Sequence, residues 1–327
     1  MMIAPQKRGQ ERTPCATTPR RIAVLMGGWS AEREVSLTSG REVAKALAER
    51  GYEVDAIDVG RDLDALLQRL KPKPHAVFNA LHGRGGEDGT VQAVLDLLEI
   101  PYTHSGLLAS AMAMEKPAAK RLFAAAGLRC PDGVLVSREA VLAGDVMPRP
   151  YVVKPPAEGS SVGVRIVRES DNVRPFEGEE WPFGDRVLVE RYIPGREITV
   201  AVMDAGGRAH ALGALEIRPR GKFYDYTAKY TANQAEHLMP APIDRRAYGR
   251  ALEMAETAHR VLGCRGVSRA DFRYDDSAGE PGELYLLEVN TQPGMTPLSL
   301  VPEIAAARGI GFGDLVSFMV ETARCGP

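Results

Sequence analysis

Lysine is scarce in this sequence of 327 residues, which carries nine lysines against 32 arginines. We attribute the excess of arginine to genomic base composition, but arginine substitutes poorly wherever a compact ammonium group is needed. The 41 basic residues are nearly balanced by 43 acidic ones. Without an excess of one charge, the composition does not favour a nucleic acid or an acidic membrane surface as partner.

Cysteines and long apolar runs are also rare. The four cysteines, Cys15, Cys130, Cys264 and Cys325, are scattered and form no CxxC pair. This usage favours a reducing compartment over a disulfide framework or a zinc site. No apolar run approaches the roughly 18 residues of a membrane span. Residues 1–20 are polar and lack the apolar core of a signal peptide, so we expect a flexible tail there and a cytoplasmic protein without membrane insertion.

Strands alternate with helices in the first third of the sequence. Apolar runs predict strands at 21–26, 53–59 and 75–81, and apolar periodicity predicts helices at 36–50 and around 91–98. This alternation is typical of a parallel α/β domain, which we expect to end at about residue 115. Its functional edge should lie where strands end in glycine-rich loops, at Gly27-Gly28 and at 83–89.

From residue 150 onward the pattern changes to successive strands. Strands joined by short turns are predicted at 151–154, 162–168, 186–193, 197–204 and 208–217, which indicates an antiparallel sheet. A helix at 244–262 follows, then a hairpin of strands 267–274 and 283–290, then helices near 299–308 and 313–323. The sequence therefore combines an α/β part with an α+β part.

The segment Gly159–Gly163 fits two patterns. It spells G-x-S-x-G, the nucleophile elbow of serine hydrolases, and His210, His237 and His259 lie downstream as candidate bases. The elbow requires a helix after the serine, whereas the residues after Gly163 are strand-like. A glycine-rich hairpin loop that binds phosphate through backbone N–H groups fits better, since Lys154 lies in the strand before it; a plain turn is the alternative.

Two standard nucleotide motifs are not supported. Residues 83–89 nearly match G-x-G-x-x-G, but the sixth position is Asp88. No G-x-x-x-x-G-K-[ST] segment occurs in the sequence. A nucleotide would therefore have to bind by another route than a Rossmann or Walker loop.

The hairpin over 267–290 carries the sharpest candidate site. Symmetric pairing about its turn places residue 271 near 286 and 269 near 288. Arg269, Asp271, Glu288 and Asn290 then project from one face, because side chains alternate along a strand. Two carboxylates and an amide oxygen suit Mg²⁺. A one-residue slip would break this arrangement, and the alternative is a solvated strand face with an incidental ion pair.

A loop rich in aromatic and basic residues follows the strands. It contains Lys222, Phe223, Tyr224, Tyr226, Lys229 and Tyr230. Such loops sometimes only cover a core, but a cationic loop beside a phosphate site is typical of a lid. We expect a lid over residues 221–232.

Long motifs resemble those of the D-alanine–D-alanine ligases of the ATP-grasp superfamily. They are Met26–Ser36, Leu81–Gly89, Val153–Pro155, Glu158–Gly163, Phe223–Tyr226 with Ala228–Tyr230, and Leu287–Thr291 with Pro293–Thr296. The resemblance extends from Arg21 to about Arg324. It implies an ATP-grasp fold with an N-terminal parallel α/β (pre-ATP-grasp) domain. The domains expected from it are 21–115, a central subdomain 116–205, and a C-terminal subdomain 206–327 with the metal site and the lid.

The resemblance also implies the nucleotide and metal ligands. Lys116, Lys154, Ser161 and Lys229 would contact the ATP phosphates, and Glu190, Arg191, Ile193 and Glu197 would border the adenine and ribose. Asp271, Glu288 and Asn290 would hold two Mg²⁺ or Mn²⁺ ions, in agreement with the one-face argument. Phosphoryl transfer needs mainly positioning and charge neutralisation, which such groups supply.

Further residues are implied for the two D-alanine sites. Glu32 would anchor the first ammonium group beside His82, while Arg269 and the N–H of Gly294 would stabilise an oxyanion. Ser299 and the N–H of Leu300 would receive the second carboxylate, and Glu32, Ser160 and Tyr230 would be hydrogen-bonded together. A tyrosine at position 230 favours an amine acceptor over a hydroxy acid. The family also implies a homodimer whose substrates are ATP and D-alanine.

Two positions depart from the common family pattern. Gln292 stands where serine or leucine is frequent, and His104 stands where glycine is frequent. The alternatives to a dipeptide ligase are another ATP-grasp carboxylate–amine ligase, a depsipeptide-forming variant, a serine hydrolase using Ser161, and a non-catalytic nucleotide-binding protein.

Overall fold

The computed structural model describes residues 20–159, 163–171, 181, 184–219, 235–296 and 299–326. The expectations for the tail, for Ser160 and Ser161, and for the lid residues 221–232 lie outside these ranges. Along the described chain, no helix is both long enough and apolar enough to cross a membrane.

The N-terminal part is a parallel sheet covered by helices, as predicted. Its elements are β1 (Arg21–Gly27), α1 (Arg33–Glu49), β2 (Glu53–Val59), α2 (Leu63–Arg69), β3 (Ala76–Asn79) and α3 (Thr90–Leu97). The sheet order is β2-β1-β3, and both pairings are parallel. α1 begins three residues before the predicted start, and the short α2 has too few periodic positions to be recognised from sequence.

The central part contains a four-stranded antiparallel sheet. α4 (Leu107–Met114) ends the N-terminal part, and the elements of the central part are α5 (Lys116–Ala125), β4 (Gly133–Ser137), α6 (Arg138–Ala143), β5 (Tyr151–Lys154), β6 (Arg165–Val167) and β7 (Arg186–Arg191). The order is β4-β7-β5-β6. β4 lies at the sheet edge and is half exposed, so it lacks the apolar pattern that predicts a buried strand.

The C-terminal part contains a five-stranded antiparallel sheet with the order β10-β9-β8-β11-β12. Its elements are β8 (Arg196–Asp204), β9 (Ala209–Pro219), β10 (Ala235–Leu238), α7 (Arg245–Leu262), β11 (Val267–Asp275), β12 (Glu283–Asn290), α8 (Leu300–Ala307) and α9 (Phe312–Glu321). α7 buries the apolar face that its periodicity predicts, with Ala251, Met254 and Ala258 facing the core.

The strands between 151 and 217 do not form one sheet, and that expectation was wrong. β7 pairs with β4 and β5, whereas β8 pairs with β9 and β11. The chain changes sheets at Gly195, which has φ +89°, and a Cβ there would lie 2.1 Å from the carbonyl oxygen of Tyr274. The boundary expected between 205 and 206 therefore falls between two paired strands of one sheet.

The N-terminal sheet and the C-terminal helices share a core. Ile22, Val24 and Phe78 of the first sheet pack in one cluster with Leu315 and Met319 of α9. Because the cluster is contiguous, the loops at the ends of β1 and β3 are held beside the C-terminal sheet. The candidate site lies where these parts meet.

Candidate active site

The β11–β12 hairpin brings the predicted metal ligands together, although with a different register. Arg269 pairs with Asn290, and Asp271 pairs with Glu288, so the expected pairing of 271 with 286 was wrong by two residues. A β-bulge after Asp271 inserts one extra residue in β12. A two-residue offset preserves the alternation of side chains, and the four residues therefore still share one face.

The Asp271 carboxylate is the centre of this face. It accepts hydrogen bonds from Arg269 Nε at 2.9 Å and Nη2 at 2.7 Å, from the Thr199 hydroxyl at 2.6 Å, and from Asn290 Nδ2 at 3.1 Å. Four bonds match the lone-pair capacity of a carboxylate. Because the Asn290 nitrogen donates to Asp271, the amide oxygen of Asn290 is its atom suited to a metal.

The donor set on this face fits a hard cation that also binds substrate phosphates. The structure's described ranges contain no group of three or more His, Cys, Asp or Glu side chains placed to hold a metal. Asp271, Glu288 and Asn290 supply two carboxylates and one amide oxygen, the kind of incomplete oxygen set that Mg²⁺ completes with phosphates and water.

Lys116 connects the predicted metal face, formed by Arg269, Asp271, Glu288 and Asn290, with the glycine-rich loop. Its Nζ donates to the carbonyl oxygen of Glu158 at 2.6 Å and lies 3.3 Å from Glu288 Oε2. Lys116 begins α5, and Glu158 directly precedes the glycine of the predicted phosphate loop. A lysine expected to contact phosphate is thus in place beside a predicted metal ligand.

Glu190, on strand β7 of the central sheet, forms a buried charge cluster with two lysines. The residue is 3% exposed, and its Oε2 lies 2.5 Å from Lys154 Nζ. Its Oε1 accepts a hydrogen bond from Lys120. Burial raises the pKa of Glu190, but the charges of Lys154 and Lys120 outweigh this effect and leave the pKa below its usual value.

The other residues expected to border adenine and ribose lie at the change from β7 to β8. The carbonyl oxygen of buried Ile193 accepts a hydrogen bond from Arg273 Nε at 3.1 Å, and Arg273 Nη1 pairs with Glu197 at 3.2 Å. The Arg191 guanidinium lies over the ring of Tyr285, 5.2 Å from its centroid. Arg273 therefore fixes two of the four predicted residues.

Glu32 and His82 lie together where the loops after β1 and β3 meet. The Ser30 hydroxyl donates to the carbonyl oxygen of His82 at 2.7 Å and accepts from the Glu32 N–H at 3.1 Å. His82 Nδ1 lies 3.0 Å from Glu87 Oε1. A Cβ at Gly159 would lie 3.1 Å from Glu32 Oε2, so the glycine-rich loop approaches Glu32 directly before Ser160.

Gly294, Ser299 and Leu300 lie together at the start of α8. A Cβ at Gly294 would lie 3.1 Å from Ser299 Oγ, and Ser299 precedes the first helical residue, Leu300. The Thr296 N–H donates to Ser299 Oγ at 3.1 Å. Helix N-termini favour anions, so this position is chemically suited to a carboxylate.

Family comparisons agree with this geometry. A profile described as "D-ala D-ala ligase C-terminus" matches residues 136–321, and one described as "D-ala D-ala ligase N-terminus" matches residues 64–105. The chain belongs to the D-alanine–D-alanine ligase family. It is an ATP-dependent ligase of the ATP-grasp class, which confirms the predicted fold class and enzyme class.

Relatives of known name cover nearly the whole chain. A D-alanine–D-alanine ligase of Granulibacter bethesdensis is 55% identical over 94% of this chain and 98% of its own, and one of Parvibaculum lavamentivorans is 56% identical over 94% and 98%. The crystal structure of the Bacillus anthracis ligase complexed with ATP has a TM-score of 0.74, with 32% identity over 94% and 97% of the chains. The VanG D-Ala:D-Ser ligase of Enterococcus faecalis has a TM-score of 0.74, with 30% identity over 93% and 99%.

The nucleophile-elbow alternative does not fit the fold of this ligase. The residues after Gly163 form strand β6 (Arg165–Val167), not the helix that an elbow requires. Among the candidate bases, His259 is buried and its Nδ1 lies 2.7 Å from the Ser268 hydroxyl. It is therefore engaged within the core, away from the surface.

The two departures from the family pattern are both buried. Gln292 is 2% exposed; it accepts a hydrogen bond from Asn79 Nδ2 at 2.7 Å and donates to the carbonyl oxygen of Leu81. His104 has φ +68°, a conformation in which glycine is favoured, and its ring packs edge to face on Phe78. Gln292 thus ties the C-terminal sheet to the N-terminal one.

Lys120 and Glu87 contact predicted site residues, although no motif predicts a role for either of them. Lys120 lies one turn after Lys116 on α5, and Glu87 contacts His82. A signal for Lys120 was available, since lysine is scarce and residues four apart share a helix face. Glu87 lies inside the motif Leu81–Gly89, but only the fold places its carboxylate beside the ring of His82.

Proposed function

We propose that this ligase joins two D-alanines in an ATP-dependent reaction, through a D-alanyl phosphate, for peptidoglycan precursor synthesis in the cytoplasm. The contact of Lys116 with both Glu158 and Glu288 carries the proposal. It brings a compact positive charge, the glycine-rich loop and a face of oxygen ligands to one point. Phosphoryl transfer requires such a convergence of charge and positioning.

The nucleotide lies between the central and C-terminal sheets in this proposal. Lys116 and Lys154 contact the phosphates, with Ser161 of the glycine-rich loop and Lys229 of the lid closing over them. Glu190, Arg191, Ile193 and Glu197 border the adenine and ribose. Asp271, Glu288 and Asn290 would hold two Mg²⁺ or Mn²⁺ ions, and these would neutralise the charge of the transferring phosphoryl group.

The first step activates a D-alanine carboxylate. Glu32, beside His82, binds the ammonium group of the first D-alanine and orients its carboxylate towards the γ-phosphate. A carboxylate oxygen bonds to the γ-phosphorus as the bond to the β,γ-bridging oxygen breaks, giving ADP and the acyl phosphate. Glu32, Ser160 and Tyr230 form a hydrogen-bonded group that joins the lid to this site.

The second step forms the peptide bond. Ser299 and the N–H of Leu300 bind the carboxylate of the second D-alanine, and its neutral amine attacks the acyl carbon. Arg269 and the N–H of Gly294 stabilise the tetrahedral oxyanion. The carbon–oxygen bond to phosphate then breaks, the attacking nitrogen loses a proton, and inorganic phosphate leaves.

The sheet topology favours a revised division of the chain. Because β8 pairs with β9 and β11, we place the boundary between the central and C-terminal subdomains before β8. The N-terminal domain then spans 21–115, the central subdomain 116–195, and the C-terminal subdomain 196–327 with the lid at 221–232. We further propose that two copies form a homodimer.

The proposal is tested by measuring ADP release with Mg²⁺-ATP and different acceptors. With D-alanine alone, we expect ADP and the dipeptide in equal amounts. D-lactate is tested as acceptor because its use would distinguish a depsipeptide ligase from a dipeptide ligase. D-serine is tested because a relative is named a D-Ala:D-Ser ligase. No turnover with D-alanine, but turnover with D-lactate, D-serine or another amino acid, would refute it. ATP-independent ester hydrolysis that is lost in Ser161→Ala would point to a hydrolase.

A further inference from the structure

We propose that Lys120 is a positioning residue of the nucleotide site. Its ammonium group holds the Glu190 carboxylate in the orientation that recognises the base, and it thereby sets nucleotide affinity and selectivity. This inference rests on the proposed ATP site and adds a residue to it. Lys120 itself need not touch the nucleotide.

The contacts of Lys120 are directed and specific. Its Nζ donates to the carbonyl oxygen of Pro131 at 2.6 Å and to Glu190 Oε1, while Lys154 lies 2.5 Å from Oε2. Each carboxylate oxygen thus has its own lysine. A carboxylate has about four lone-pair positions, so two remain with which Glu190 can accept hydrogen bonds from a ligand.

Lys116 and Lys120 form a repeated arrangement on α5. They are four residues apart and lie on the same helix face. Each donates to one backbone carbonyl and contacts one glutamate: Lys116 contacts Glu288 at the metal face, and Lys120 contacts Glu190 at the base end. One helix therefore supplies two anchored ammonium groups, one to each end of the proposed nucleotide site.

Gly133 provides the space for this contact. It lies opposite Glu190 in the β4–β7 pair. A Cβ at position 133 would lie 2.8 Å from Glu190 Cγ and 3.3 Å from Lys120 Nζ. Glycine at the start of β4 thus allows the glutamate and the lysine to meet, which gives a second way to disturb the contact without changing either residue.

The chemistry of Glu190 explains why its orientation matters for selectivity. An ionised carboxylate only accepts hydrogen bonds. It can pair with the exocyclic amine of adenine, whereas guanine presents an acceptor oxygen at the equivalent ring position. Without Lys120, Lys154 is the cationic partner that Glu190 retains within the described part of the chain, and Glu190 is drawn towards it. The preference for adenine should then decline, and Lys154 should be less available to contact the ATP phosphates.

The first experiment measures binding of a non-hydrolysable ATP analogue by calorimetry to wild type, Lys120→Met and Lys45→Met. Lys45 is an exposed lysine on α1, so its variant controls for the chemical change itself. Losing one charge-assisted hydrogen bond should raise the Kd of Lys120→Met about tenfold or more. We expect Lys45→Met to bind like wild type. An unchanged Kd in Lys120→Met overturns the proposal.

The second readout is the ratio of kcat/KM for ATP and GTP, which a purely structural lysine would not alter. We expect the ratio to fall in Lys120→Met and in Gly133→Ala, and an unchanged ratio in both contradicts the inference. Gly133→Ala also serves if Lys120→Met does not fold. If wild type binds the analogue but shows no ADP release with D-alanine, the proposed function fails while the binding test of Lys120 stands.

Discussion

Lys116 Nζ lies 3.3 Å from Glu288 Oε2, which joins a helix of the central part to the last strand of the C-terminal sheet. The ammonium group therefore neutralises one carboxylate of the predicted metal face. In the proposed mechanism both partners would exchange this contact, Lys116 for an ATP phosphate and Glu288 for a metal ion.

Glu288→Gln should abolish this exchange. The amide offers a neutral oxygen in place of an anionic one, so the metal loses a charged ligand. We expect kcat to fall on the order of 100-fold or more and the affinity for Mn²⁺, measured by electron paramagnetic resonance, to fall as well. Glu283→Gln is the matched control, because Glu283 begins the same strand and pairs with Arg129 at the surface. A near-normal rate in Glu288→Gln would refute the metal assignment.

Arg269→Gln should separate metal binding from catalysis. The Arg269 guanidinium makes two of the four hydrogen bonds that Asp271 accepts, so a metal must compete with it. We expect the nucleotide-free variant to bind Mn²⁺ at least about tenfold more tightly, because a charged competitor worth about 1.5–3 kcal/mol is removed. Its kcat should fall because the oxyanion loses a partner.

The control for this variant is Arg273→Gln, because Arg273 lies on the same strand as Arg269 but its guanidinium pairs with Glu197 of β8. Its affinity for Mn²⁺ should match that of wild type. If Arg269→Gln binds Mn²⁺ no more tightly than wild type, the guanidinium does not compete with the metal.

Stability at acid pH should depend on His104. Burial lowers the pKa of His104 to about 3, whereas an unfolded histidine titrates near 6.5. Between these values the unfolded state binds more protons, so the free energy of unfolding falls as the pH falls, by a total on the order of 5 kcal/mol.

His104→Asn removes the titrating ring and tolerates the positive φ. We expect it to flatten this pH dependence in urea titrations, whereas exposed His210→Asn leaves the dependence unchanged. An equal slope in His104→Asn and wild type would contradict the assignment.

Gln292→Leu should reduce stability without changing the acceptor. It leaves the Asn79 amide and the Leu81 carbonyl without their buried partner, which costs about 1–3 kcal/mol. In urea unfolding, Asn79→Leu combined with Gln292→Leu should cost less than the sum of the two single variants. A change in the ratio of D-alanine to D-serine use would show instead that Gln292 acts at the acceptor site.

The sequence predicted the composition of the site better than its register. Asp271 and Glu288 were placed on one face because alternation survives a two-residue offset. The bulge accounts for one residue of that offset and has no signature in an apolar strand. The division into two sheets was missed because β7 and β8 have similar strand patterns, and only pairing partners distinguish them. Lys120 was missed because its partners, Pro131 and Glu190, are distant in sequence.

The acyl phosphate is the central claim, and an isotope experiment tests it most directly. D-alanine labelled with ¹⁸O at both carboxylate oxygens is converted with unlabelled ATP in unlabelled water, and the inorganic phosphate is examined by mass spectrometry. In the acyl phosphate, one labelled carboxylate oxygen joins the acyl carbon to phosphorus. The bond between this oxygen and the carbon breaks after the amine attacks, so each phosphate should carry one ¹⁸O atom. Dipeptide formed together with unlabelled phosphate would contradict activation through an acyl phosphate.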